Sequence, residues 1–396
     1  MHNITKIKLF RILLRITYLP SLIVLYPLAL LRKKSGSGLF FFFDRYSLGG
    51  AQKVHLDILR AVEKTEKSVF FTRNSPDSTF KKDFENIPEN SIFYIDRLCD
   101  PVLIRLFSVH YFAFYLNRHS NPRVLGSNST FFYDMLPFLK KKVVTLELLH
   151  NFSFGNNGME FFGLLNHAWL SHRLVIDEAT RKNILAQYIT YHVPARFSER
   201  VRTIEFGVDI PDQLPVKTQP PLNVFYAGRG GPQKRIHLIN AIALHFIQSN
   251  QPVRFYFAGT FDHELSSQVK EHSILFGALS DIHQMNKIFS SGHVLLMTSA
   301  YEGFPVLVKE AMAFGCVPVV TALPGMMTHL TDGGNSLLIK SVTEEAKVIE
   351  EGIRHIHFLL ENKGMLEKMS TVCFEYAKRH FDKKSFSQSY AELLRG

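Results

Sequence analysis

The chain has 396 residues, room for two domains of ordinary size, and its 46 % hydrophobic content excludes a disordered or collagen-like protein. Its three cysteines, Cys99, Cys316 and Cys373, are widely spaced, fit no metal or redox pattern and point to a reducing compartment. The net charge of +11 does not mark a nucleic-acid binder: seven basic residues and no acidic one precede Asp44, leaving 39 basic against 35 acidic residues and no basic-aromatic module.

That basic N-terminus is also apolar. Lys8, Arg11 and Arg15 fall at helical spacing beside Leu9, Phe10, Ile12, Leu13 and Leu14, and an uncharged run, 16–31, follows with Pro20 and Pro27 inside it. Sixteen residues fall short of the roughly 20 that span a bilayer, and two prolines weaken a straight span. Basic residues on both sides suit a segment that enters the interface of an anionic leaflet and stays on one side. A signal peptide fits poorly with Arg32, Lys33 and Lys34 where small residues should precede cleavage. The alternative to membrane attachment is an extra helix packed on the first domain. Residues 35–38, SGSG, read as a short linker, so 1–36 is taken as a membrane-associating segment.

From Leu39 onward apolar runs alternate with helical patterns, the signature of parallel α/β structure. Strands are expected at 39–43, 68–72, 91–95, 123–126, 143–148 and 173–177. The turn 48–51 opens a helix carrying Val54, Leu56, Ile58 and Leu59, and 102–116 is a second helix. Four prolines in 211–221 mark a linker. A second cycle follows: strand 223–228, helix 236–248, strands 253–258 and 273–276, a helix near 282–290, and strand 294–298. Two doubly wound halves should bind a ligand between them, at the carboxyl ends of the strands.

The stretch 301–320, YEGFPVLVKEAMAFGCVPVV, carries the most chemistry. Glu302 and Glu310 straddle a helix start, with Pro305 suited to the first helical position, Gly315 to the C-terminal cap, and a buried strand after it. N–H groups at such a start favour a phosphate, and the two carboxylates offer acceptors for two sets of sugar hydroxyls. A solvated helix face is the plainer alternative. Upstream, 228–235, GRGGPQKR, is a glycine-rich turn between strand and helix. There Arg229 can fork two phosphate oxygens and Lys234 adds a point charge.

The 301–320 stretch resembles the E-x7-E region of the retaining glycosyltransferases of family 4 (glycosyl transferases group 1), and 228–235 resembles their Gly-Arg…Lys element. Residues 169–181, 204–209, 257–259, 276–281 and 332–339 extend the likeness, which is strong over about 140–340. Phe206 replaces an asparagine, Gln233 a glutamate, Arg235 a glycine, His293 an aspartate and Thr328 a glutamate of the family pattern. The resemblance implies a GT-B fold: two Rossmann-like doubly wound domains facing a central cleft. They are expected at 37–212 (acceptor side) and 213–384 (nucleotide-sugar side), with 385–396 a helix crossing back to the first. It further implies that Glu310 holds the ribose, that Glu302 meets a sugar hydroxyl, that Arg229, Lys234, Gly228 and the N–H groups around Gly303 and Phe304 meet the diphosphate, and that Pro305 lines the donor site beside them. In the first domain Gly49 and Gly50 resemble the family's glycine pair facing donor phosphate and acceptor. His150 resembles a histidine that reaches the donor sugar, and Asp44, Arg45 and Tyr46 are weaker acceptor-loop candidates.

The implied activity is retaining, metal-independent transfer of a sugar from a nucleotide diphosphate sugar, with no resident cofactor. The leaving phosphate takes the acceptor proton, and no Asp-x-Asp occurs. The N-terminus suggests a lipid-linked or cell-envelope glycan acceptor, as in polysaccharide assembly, and a cytoplasmic protein held peripherally at the inner face of the membrane. The rival readings are a sugar-nucleotide epimerase of the same fold and a catalytically silent partner subunit.

Overall fold

The computed structural model describes residues 2–34, 36, 38–47, 49–153, 158–279 and 281–395, with side chains from Lys6 onward. Ser35 and Ser37 of the expected linker, Leu48 of the first turn and Ser280 of the 276–281 motif lie outside the described residues. The chain divides into two compact units, Met1–Glu205 with Phe386–Gly396, and Phe206–Ser385.

The first unit is built on a parallel sheet of β1 (Leu39–Phe43), β2 (Lys67–Phe71), β3 (Asn90–Tyr94), β4 (Arg123–Ser127), β5 (Val144–Leu149), β6 (His172–Val175) and β7 (Val201–Thr203), in the order β3-β2-β1-β4-β5-β6-β7. β1 is apolar at every position because both faces of a parallel sheet are covered. On one face Phe42 stacks on Phe70 at 4.8 Å, and Phe40 meets Tyr115 of the helix Val102–Asn117 edge-on. On the other, Phe43 stacks on His55 of the helix Gly50–Ala61. Burying each of these rings contributes roughly 1.5–3 kcal/mol.

The N-terminal segment forms one helix, His2–Leu31. This corrects the expectation of a run too short to span and weakened by proline. Pro20 and Pro27 both lie on the exposed side, and the basic first turns join the apolar run. By length and composition Lys6–Leu31, 26 residues, is long and apolar enough to cross a membrane. Its buried stripe, Leu14, Ser21 and Ala29, recurs every two turns, and the helix lies along Val102–Asn117.

The second unit carries β8 (Leu222–Arg229), β9 (Val253–Thr260), β10 (Ile274–Leu275), β11 (Val294–Met297), β12 (Val317–Thr321) and β13 (Leu337–Ile339), parallel in the order β10-β9-β8-β11-β12-β13. The strand order reverses between β1 and β4 in the first sheet and between β8 and β11 in the second. Loops leaving the carboxyl ends of those strands are where each fold offers a binding crevice. The final helix, Lys383–Arg395, contributes its residues from Phe386 on to the first unit, where Arg123 Nη1 donates to Leu393 O at 2.7 Å.

Candidate active site

Both loops at the second unit's switch point carry the expected residues. The first leaves β8, with Gly228 and Arg229 closing the strand; Arg229 is exposed, and its carbonyl accepts from Tyr226 Oη at 2.8 Å. The second, 298–305, leaves β11 and opens the helix Val306–Ala313. Pro305 is the residue before that helix and not its first member, a shift of one position from the sequence expectation. Likewise Phe314 is the C-cap, and Gly315 follows it at φ +68°, the left-handed conformation that glycine takes without strain.

The structure joins the two loops side chain to side chain. Lys234 Nζ is ion-paired with Glu302 Oε1, both side chains largely shielded. Gln233 Nε2 donates to Tyr301 O at 2.9 Å, and the Ala300 N–H donates to Gln233 O at 2.8 Å. Arg235 is buried at φ +51°, where a glycine would sit without strain. Its guanidinium compensates by donating to Thr298 O at 2.6 Å, Ser299 O at 3.1 Å and Val342 O at 2.6 Å. Two departures from the family pattern, Gln233 and Arg235, therefore brace the loop that holds Lys234. Their role leaves no mark in the local sequence, because their partners are main-chain atoms about 65 residues or more away.

Behind Glu302 the backbone is closely packed. A Cβ on Gly325 would lie 2.4 Å from Gly303 O, so the 325 turn fixes the height of the 303 peptide. Phe304 is buried, while Glu310 is half-buried on the helix, more than a turn inside it. Lys309, next to it, is buried and donates to Phe206 O at 3.1 Å, so Phe206 serves through its carbonyl. His293 accepts from the Asn223 N–H at 3.0 Å, and burial pushes its pKa down to about 4. The Thr328 hydroxyl donates to Gly325 O at 2.6 Å. Each of these three substituted positions is absorbed into local structure.

In the first unit the expected residues gather at the carboxyl ends of β1 and β5. Gly49 precedes the helix Gly50–Ala61, and among the described residues nothing beyond Gly50's chain neighbours and its own helix backbone lies within 4 Å of where a Cβ on Gly50 would stand. His150 directly follows β5. Its Nε2 lies 3.1 Å from Ser127 Oγ and 3.1 Å from His55 Nε2. The Ser127 hydroxyl donates to Leu148 O, so Nδ1 is the ring nitrogen of His150 that this cluster does not engage. Burial pushes His150 down to about 4 and His55 well below the ordinary histidine value, the neighbouring His150 adding to the latter, so both rings are neutral at pH 7. His55 was not expected from sequence; only its place on the inward face of a helix hints at it. Burial likewise raises Asp44, against the pull of Arg45 and Arg73. Arg45 and Tyr46 bond to the 74–75 turn, at Asn74 O and Ser75 Oγ.

Two doubly wound parallel units, the second with a basic glycine-rich loop and a glutamate-bearing helix start at its switch point, define a protein of GT-B architecture. Residues 210–379 match the family model of the glycosyl transferases group 1. Over 176 residues the chain is 24 % identical to an uncharacterized 41.2 kDa protein in the cps region of Klebsiella pneumoniae. The match takes in 44 % of this chain and 46 % of that protein, so the chain spans about half the length of that curated relative. HepE of Anabaena, solved with UDP and with UDP-glucose, superposes with a TM-score of 0.68 in its UDP complex. It is 17 % identical, with 90 % of this chain and 99 % of HepE covered. The apo form of the lipopolysaccharide outer core galactosyltransferase WaaB gives 0.66 at 18 % identity, over 90 % of this chain and 99 % of that one. At these identities the likeness shows the fold, GT-B.

Proposed function

We propose that the protein is a glycosyltransferase that moves a sugar, with retention, from a nucleotide diphosphate sugar to a glycan or glycolipid acceptor. The observation that carries this reading is the Lys234–Glu302 pair, which couples the basic glycine-rich loop to the helix start bearing Glu310. A diphosphate arriving at that helix start competes with Glu302 for Lys234, and Arg229 offers a second cation from the carboxyl end of the neighbouring strand β8. Glu302 is then released toward a sugar hydroxyl, while Glu310 takes the ribose hydroxyls. As the anomeric C–O bond breaks, Arg229, Lys234 and the peptide N–H groups of Gly303 and Phe304 stabilise the charge gathering on the diphosphate. The reading assigns that task to these groups and not to a metal, and it needs no cofactor beyond the donor. The leaving phosphate accepts the acceptor proton, so no separate base is required.

In the first unit the reading assigns His150 to the donor sugar. A neutral ring there can hydrogen-bond a hydroxyl through Nδ1 without repelling the cationic character that develops at the anomeric carbon. The open space in front of Gly50 leaves room for a phosphate or acceptor. A lipid-linked or cell-envelope acceptor, and a position on the inner face of the membrane, are supported by the apolar N-terminal helix, by the relative in a cps region and by the fold shared with a lipopolysaccharide outer core galactosyltransferase.

A thermal-shift series with UDP-, GDP- and ADP-sugars tests the donor assignment. The matching donor at about 100 times its Kd should raise apparent stability by about 2.7 kcal/mol. Glu310→Ala should abolish both the shift and turnover; a variant that keeps both would remove Glu310 from the site.

A further inference from the structure

We propose that the helix His2–Leu31 lies in the plane of an anionic lipid leaflet without crossing it, and that the first turns of Val102–Asn117 enter the same leaflet as a second foot. This rests on the membrane-peripheral reading above and adds its geometry.

The helix is fastened to the first unit from Phe10 to its end. Near its start Arg11 Nη1 donates to Leu165 O at 3.5 Å. In the middle His110 Nε2 bonds Leu14 O at 2.9 Å and Thr17 Oγ1 at 3.1 Å, and Tyr18 stacks on Phe138. At its end Arg118 donates to Ala29 O and, at 2.9 Å, to Arg32 O, capping carbonyls that the last turn cannot satisfy. The Arg32 guanidinium lies 4.7–5.9 Å from the ring centres of Tyr115, Phe93, Phe70 and Phe112. A helix standing across a bilayer would have to leave all of these partners.

The opposite face is apolar and uncovered: Leu9, Ile12, Ile16, Leu19, Ile23 and Leu31 are each more than half exposed. The patch continues onto the neighbouring helix, where Val102, Leu103, Ile104 and Phe107 are exposed around Arg105, whose guanidinium lies over Phe10. So large a patch on a soluble surface marks an interaction site. Charge selects the occupant. Lys6 and Lys8 near the start of the helix, Arg15 at mid-length and Lys33 and Lys34 beyond its end are exposed, and no acidic residue precedes Asp44. Basic ends around an apolar face complement an anionic leaflet, each such charge adding affinity near the surface.

The purified full chain is tested with phosphatidylcholine vesicles with and without phosphatidylglycerol. It should cosediment with the anionic vesicles and bind neutral ones about tenfold or more weakly. Leu103→Asp with Phe107→Asp should weaken binding about tenfold or more, while Val216→Asp, at an exposed apolar side chain of the second unit, should leave it unchanged. For topology, Lys6→Cys and Lys34→Cys are labelled on bound protein with a membrane-impermeant maleimide added outside; the native cysteines are buried. Labelling at both ends is expected. Labelling at one end only shows a helix that crosses, which overturns the in-plane geometry and the peripheral attachment with it, while glycosyl transfer is left to the donor experiment. Absence of vesicle binding, or a lipid-independent dimer that masks the patch, overturns membrane attachment itself; donor binding, read separately by thermal shift, reports on glycosyl transfer.

Discussion

Arg235 shows how one side chain can both strain and stabilise a site. Its left-handed backbone costs roughly 1–2 kcal/mol, while three bonds from a charged donor to buried carbonyls return more than that. Arg235→Gly should therefore destabilise less than Arg235→Ala, which keeps the strain and loses the bonds. We expect a loss of about 2–4 kcal/mol for the alanine variant in urea denaturation. Equal losses would mean that the backbone strain is negligible. Lys234 and Glu302 form a coupled pair, so their truncations should be non-additive. In a double-mutant cycle on donor affinity, Lys234→Ala should weaken binding far more than Glu302→Gln, because it removes a phosphate cation while the glutamine releases the lysine. Gly325→Ala, which presses on Gly303 O, should lower donor affinity with little change in fold; unchanged affinity would show that the 303 peptide is not a donor contact.

Among the elements, the N-terminal helix depends on Val102–Asn117 for its place. Ala29 is fully buried in that contact and Arg118 caps the last turn. Ala29→Leu should cost about 1–3 kcal/mol by overpacking, and Arg118→Ala about 1–2 kcal/mol by stripping carbonyls of their donor. Faster proteolysis of the first 34 residues, with the rest of the chain intact, would be the readout. The same scale explains what the sequence concealed. Strands such as β1 and β12 are legible because both of their faces are apolar. β7 and β13 have three residues each, too few for a period, and give no strand signal in the sequence. The two prolines mislead because local propensity argues against a helix that tertiary contacts hold together.

Across the whole molecule, buried neutral histidines make stability depend on pH. Burial holds His110 in the first unit and His293 in the second at about 4, below the ordinary value of 6.5. As pH falls through 6.5 the unfolded chain takes up protons that the folded chain refuses. Their stabilisation is thus complete above about 6.5 and lost toward 4, at most about 3 kcal/mol for each ring. Tm should fall steadily between those limits; a flat profile would show that these rings protonate without unfolding. The sequence alone determined the alternation that makes two parallel α/β units, the two glutamates at a helix start, the cations of the glycine-rich turn, and the basic, apolar N-terminus. These are periodicities and spacings, written within a few turns of chain. Tertiary structure decided the rest: that Lys234 meets Glu302, that Gln233 and Arg235 brace their loop, that His55 sits behind His150, and which face of the first helix is left bare. Such facts depend on side chains meeting atoms far away in sequence, and packing brings those atoms together where no local pattern records them.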